Sequence, residues 1–225
     1  DRNPSGLAGW AWGISMQQAW QLALPRGGIA WRPVPPLHRL ESHPLGSSRM
    51  TVESGASAPT FPQAMERAAQ GLALWEAGEL SDEVLADQVA HLVNSRDGAR
   101  GFFVVSLSSD SALMDRPPEP LLLQLREAGE GVVDLTVRNL AMSTAMALHH
   151  QRSGDATQQA RSERVRDRST ELLRQLDPNL VKERLEVLLQ AAGQASGPDL
   201  EFLDRWGYDP EQRRAISEAV LAVAE

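Results

Sequence analysis

The chain has 225 residues, no cysteine and a formal charge of −8, which excludes disulfides, thiolate nucleophiles and Cys-ligated metal centres and disfavours broad attraction to nucleic acid or anionic membrane. Hydrophobic residues make up 42% and charged residues 23%, the proportions of a folded chain rather than a disordered one. With aromatics at only 5%, the core must be built mostly from Leu, Val and Ala, and the cytosol is the default compartment of such a cysteine-free chain.

The charge is unevenly spread. Residues 1–49 hold five arginines against Asp1 and Glu41, a net of +3, which leaves −8 − 3 = −11 for residues 50–225. The same stretch contains four of the six tryptophans and the run WRPVPPLHRLESHPLGSS. It lacks a sustained period after about residue 24, so residues 1–59 read as a poorly ordered arm. Residues 3–25 carry no charge, which makes a membrane-associated role for residues 7–24 one alternative. A spanning helix needs about 20 predominantly apolar residues, and Ser5, Ser15, Gln17, Gln18 and Gln21 interrupt this one, so no membrane partner is expected. From Met50 the sequence MTVESGASAPTF reads as a natural start, and function is sought beyond it.

Residues 61–77 place Met65, Ala68, Leu72 and Trp75 at helical spacing before Gly78. Ser81, followed by Asp82 and Glu83, opens a second helix that ends near Asn94. Residues 98–111, GARGFFVVSLSSDS, break the helical pattern: residues 102–107 are apolar, β-branched in part and bounded by Gly and Ser/Asp, and they predict one short extended or strand-like segment. No second run of this kind exists for it to pair with inside the chain. A core-plugging segment, a short helix and pairing with another copy all remain open.

Farther along, residues 115–120 form a turn, residues 121–128 a helix, and Gly129 and Gly131 a break. A long helix is predicted from about residue 132 to 152, and a highly charged one over 156–176 after a polar link. Asp177-Pro178 and Asp209-Pro210 each set a capping carboxylate before a proline suited to the first helical position. They predict helices at 178–192 and 210–224, with a short helix ending at Gly207 between them. The expected fold is an all-α or mostly α multi-helix bundle, a single helical domain over residues 60–225.

Two kinds of candidate site follow. In the long helix, NLAMSTAMALHHQR puts Asn139, Ser143 and His150 on one stripe with Ala147, the candidate lining of a small-molecule pocket or enzyme site. Close packing of the small residues explains the same run, and histidines at a helix C-terminus interact with its dipole. His149 and His150 are adjacent and point about 100° apart on a helix, so they form no metal chelate. Ser143 stands seven residues from His150, too far to act with it as nucleophile and base.

The second kind is a partner surface. RSERVRDRS offers Arg161, Arg164 and Arg168, whose planar forks suit an acidic partner, although such a run equally makes a solvated helix face. FLDRWGY offers Arg205, Trp206 and Tyr208, residue types that often anchor interfaces, while Phe202 and Trp206 suit closure of the core just as well. DGARG at 97–101 lacks the spacing of a phosphate loop. No catalytic residue, metal ligand or cofactor is assigned.

RGFFVVSLSSDS, VRNLAMSTAMALHH and FLDRWGYDPEQRRAI resemble a family of conserved uncharacterised proteins of cyanobacteria, over roughly residues 60–225. The resemblance implies no activity; it implies a cytosolic setting in a photosynthetic bacterium. The function expected is therefore a non-enzymatic protein-interaction or regulatory module of the cytoplasm, with an unidentified protein partner, a homodimer among the options, and no nucleic acid.

Overall fold

Helix-starting side chains set the frame. In the computed structural model, which describes residues 58–225, each of these chain entries is built as its residues dictate. Ser81, Ser95, Asp155, Asp177 and Asp209 all accept backbone N–H groups of the turns they open. At Asp209 the arrangement is reciprocal, because Gln212 Oε1 also accepts the Asp209 N–H at 3.1 Å, a capping box.

Among the described residues there are nine α-helices, one 3-10 turn and no strand. They are α1 (Phe61–Glu76), α2 (Asp82–Val93), α3 (Arg96–Ser108), the turn Ala112–Met114, α4 (Glu119–Glu127), α5 (Glu130–Ser153), α6 (Ala156–Gln175), α7 (Pro178–Gln194), α8 (Leu200–Arg205) and α9 (Pro210–Ala222). Residues 1–57, with them nearly all of the arm, the uncharged stretch 7–24 and Met50, lie outside the described residues. No helix of the described part is long and apolar enough to cross a membrane.

The long helix α5 is the centre. A surface helix shows one apolar stripe, whereas a helix buried on every side loses that asymmetry. From Val132 to Ala147, thirteen residues of α5 are buried, on all faces. It pairs with α6 as an antiparallel hairpin and carries α7 and α9 on its other sides, while α1 packs on α3 and α2 on both α3 and α4. The hairpin closes at Gly154, whose φ of 73° is the left-handed conformation that glycine adopts without a Cβ clash.

The strand-like expectation for residues 102–107 is corrected here: they are the middle of α3. An isolated strand would leave its backbone groups unpaired in the interior, and a helix satisfies them internally. The run 102–107 by itself shows no period because every position in it but Ser106 is apolar, and Phe102, Phe103, Val104, Ser106 and Leu107 are all buried. The Phe102 and Phe103 rings sit 5.2 Å apart and are fully covered; burying each contributes about 2–3 kcal/mol relative to exposure.

Close approach of α1 and α3 depends on Gly101. A Cβ there would fall 2.5 Å from Ala64 Cβ and 2.8 Å from the Met65 backbone nitrogen. Backbone cannot swing aside as a flexible side chain can, so Gly101→Ala must part the two helices. We expect this substitution to destabilise the domain by about 1–3 kcal/mol, the usual cost of overpacking, read from the midpoint of urea unfolding. An unchanged midpoint would show that the two helices are not held this closely.

Candidate functional site

The three arginines singled out on α6 share one face. Arg161, Arg164 and Arg168 are spaced i, i+3, i+7, and they grade from exposed to buried along the helix. Arg168 is 5% exposed. Its Nε and Nη2 grip Asp115 at 2.7 and 2.9 Å. The remaining donors reach the carbonyls of Leu107 (3.1 Å), Ser109 (2.8 Å) and Ser111 (2.7 Å), with Ser106 at 3.3 Å. It closes the C-terminus of α3 and the loop after it rather than offering a fork to a partner. Arg164 bonds Asp110 and lies 3.4 Å from the Ser109 carbonyl. Arg161 reaches solvent.

The second group divides in the same way. Arg205 is exposed and paired with Glu201 at 2.7 Å. Tyr208 is buried and Trp206 half-buried. Their rings stack 6.4 Å apart, and Phe202 meets Tyr208 edge-on at 6.5 Å. The Tyr208 hydroxyl and Trp206 Nε1 are buried with no hydrogen-bond partner, and burial raises the Tyr208 pKa. Phe202 and Tyr208 are buried in the core, and Trp206 packs against it.

Asn139 and Ser143 are sealed between helices. Ser143 Oγ donates to the Asn139 carbonyl at 2.6 Å, and both amide atoms of Asn139 are buried without a partner. Asn139 stands 154 − 139 = 15 residues before Gly154 and Ser169 stands 169 − 154 = 15 after it, so the hairpin sets the two roughly level; the Ser169 hydroxyl is likewise buried and unpartnered. His150 is half-exposed at the end of α5. Burial, reinforced by the charge of His149 and opposed by Asp155, lowers its pKa below the ordinary value of 6.5. None of Asn139, Ser143 and His150 lines the groove described next.

That groove, about 450 Å³, opens between the α5–α6 hairpin and α9. Ala215, Ala219 and Ala222 supply one wall, Thr144 and Thr170 the floor and far side, and Arg166, Asp167, Glu171 and Glu218 the rim. Arginine bridges fix both ends of α9. At its start, Arg152 bonds Asp209 at 2.5 Å and also Glu211, which together with the Gln212 backbone N–H holds the Asp209 pKa low. At its end, Arg174 donates to the carbonyls of Ala222 (2.6 Å) and Val223 (3.3 Å). Between these clamps the helix stands off α6, and Leu221, 57% exposed, stands beside Glu218 on its outer side.

An ion network the sequence reading did not single out lies at the other end of α5. Arg184 on α7 bonds Asp134 on α5 at 2.7 Å and Asp199, just before α8, at 2.5 and 3.1 Å. Arg138 bonds Asp134 at 3.1 Å and stands 3.6 Å from Asp199. Burial works to lower the Arg184 pKa, but the two carboxylates outweigh it and the net shift is upward. The i, i+4 pair Asp134 and Arg138 on an otherwise apolar helix was its one sequence signal. Among the described residues, no group of three or more His, Asp or Glu is placed to hold a metal ion.

The family described as "Uncharacterised conserved protein UCP020893" matches residues 60–223. The chain belongs to this family. The match spans α1 through α9 and so includes both the groove and the ion network. Neither the comparison with curated proteins nor that with solved structures returns a match.

Two outcomes test this account of the side chains. Arg168→Met strands Asp115 and several carbonyls, so it should cost at least about 2 kcal/mol, whereas Arg161→Met should cost less than about 0.5 kcal/mol. Asp115 is held below its ordinary pKa chiefly by the Arg168 hydrogen bond. Its contribution is present above the unfolded carboxylate pKa and lost as pH falls through the folded one, and the slope of stability in that acid window should flatten in Arg168→Met.

For His150 the sign is opposite to that of a paired histidine. Its folded pKa is depressed, so the unfolded chain binds the proton more readily, and stability falls as pH drops through 6.5 toward the folded pKa. NMR titration of the His150 ring should give a midpoint below 6.5, and His150→Gln should remove that share of the pH dependence. A midpoint above 6.5 would contradict the site described.

Proposed function

We propose that this domain is a non-enzymatic interaction module of a cyanobacterial cytosol, whose partner presents an amphipathic helix to the groove between α6 and α9. The groove is the observation that carries the reading. Its wall of Ala215, Ala219 and Ala222 lets another backbone approach closely, and arginine clamps hold both ends of α9. Helix-in-groove recognition uses apolar anchors at helical spacing against such a surface.

The rim selects the charge of the partner. Asp167, Glu171 and Glu218 outnumber Arg166, and the whole chain is acidic, so a helix with basic residues flanking its apolar face is favoured over an acidic one. The cyanobacterial setting rests on the three sequence phrases quoted above, and the cytosolic one on the same resemblance and the absence of cysteine. A second copy of the chain is an alternative occupant that the test below identifies by mass.

The lack of native cysteine makes site-specific crosslinking clean. Ala219→Cys, carrying a photoreactive maleimide, should crosslink one defined partner in cytosol of the source organism, and Glu66→Cys on exposed α1 should not. Adding Ala222→Glu, in the groove wall, should abolish the adduct. No adduct from position 219, or the same adducts from both positions, rejects the groove as the docking surface.

A further inference from the structure

The groove between α6 and α9 has one polar group left over. Its threonine hydroxyls are engaged inside their own helices: Thr144 Oγ1 donates to the Leu140 carbonyl at 2.7 Å, and Thr170 Oγ1 to the Arg166 carbonyl at 3.0 Å. Its rim charges are engaged with neighbours. Arg166 bonds Asp167 at 2.9 Å, and Glu171 is held at 2.6 Å by Arg174, the arginine that also closes the end of α9. Glu218 lines the same groove and is exposed, and among the described residues it makes neither a hydrogen bond nor an ion pair.

Two features keep Glu218 open. Arg214 stands one turn before it on α9, but Arg ahead of Glu is the weaker order for an i, i+4 pair, and Arg214 lies outside the groove lining. Asp167, Glu171 and Glu218 face Arg166 and Arg174, so 2 − 3 = −1, and that charge is the Glu218 carboxylate. Water satisfies it while the groove is open. An apolar surface laid over it would remove that water and put nothing in its place, which is costly for a charge. A helix that covers the groove must therefore bring a cation to this point or lose affinity.

Position narrows the requirement further. Glu218 stands three residues after Ala215 and four before Ala222, so the alanine wall extends about one turn to either side of it, about 10 Å in all. We infer that Glu218 is the specificity-determining residue of the groove. It selects one Lys or Arg at the border of the partner helix's apolar face, level with the middle of a two-turn contact, with apolar residues three or four positions before and after it. The inference rests on the groove being the docking surface. Further basic residues add little, because the other two carboxylates are already neutralised from within the chain.

Selection from a phage-displayed library of single-helix peptides randomised on one face tests this, with the full chain as bait. The counter-bait is Ala219→Cys carrying a bulky maleimide that fills the groove, and unmodified Ala219→Cys is its folding control. Peptides kept by wild type and lost on the blocked bait should converge on one Lys or Arg with apolar residues one turn away on both sides. Glu218→Lys as bait should select Asp or Glu at that position instead. With one such Lys peptide, Glu218→Gln should weaken binding about two- to fivefold and Glu218→Lys about tenfold or more, while Glu66→Gln on exposed α1 leaves it unchanged. Both Glu218 variants should keep the wild-type thermal midpoint, and a lower midpoint in Glu218→Gln would reveal an internal partner and overturn the inference. Groove-dependent peptides with no preferred basic position, or the same peptides on wild type and Glu218→Lys, also overturn it and leave the groove standing. The absence of any groove-dependent peptide removes both readings.

Discussion

A helix leaves its last carbonyls without partners, and in this domain arginines from other helices complete them. Arg168 of α6 closes the end of α3, Arg126 of α4 donates to the Gln175 carbonyl at the end of α6 at 2.7 Å, and Arg174 of α6 holds the end of α9. Arg213 of α9 reaches the Tyr208 carbonyl after α8 at 2.9 Å. The first three bonds join a helix terminus to a distant part of the chain, so the same contact that satisfies the backbone also fixes how two helices lie. Leu- and Val-rich faces supply the burial free energy; the arginine forks supply direction.

Among the described residues, several arginines are spent on helix ends and buried ion pairs rather than on the surface. The chain has a single lysine, Lys182, and it is exposed. Arginine is preferred where several planar donors must be satisfied at once in partial burial. Acidic residues remain outside in excess, and the cations are drawn inward to helix ends and to the Asp134–Arg138–Arg184–Asp199 network. A substitution to lysine at Arg168 keeps the charge and loses the fork, so charge alone does not describe what the residue does.

The groove and the ion network lie at opposite ends of α5. At one end, α9 is pinned to the hairpin by Arg152 and Arg174, and the small side chains of the wall leave a groove. At the other, α5, α7 and the start of α8 are tied together by the Asp134–Arg138–Arg184–Asp199 network. A helix buried on every face from Val132 to Ala147 couples these regions mechanically, because no single face of it can shift without disturbing the packing of another.

Capping chemistry and periodicity are local, and the sequence by itself determined the helical class and nearly every helix: Ser81, Asp177-Pro178 and Asp209-Pro210 mark starts that the structure keeps. It misled at residues 102–107, since an apolar run covered on all sides carries no period whether it is helix or strand. The roles of the arginines were illegible for a different reason. Arg161, Arg164 and Arg168 differ little as neighbours in a string, yet their burial is set by a loop more than fifty residues earlier. Only the tertiary structure decided which charges are spent on helix ends and which on ion pairs, because long-range proximity, not residue type or spacing, determines whether a donor finds its acceptor.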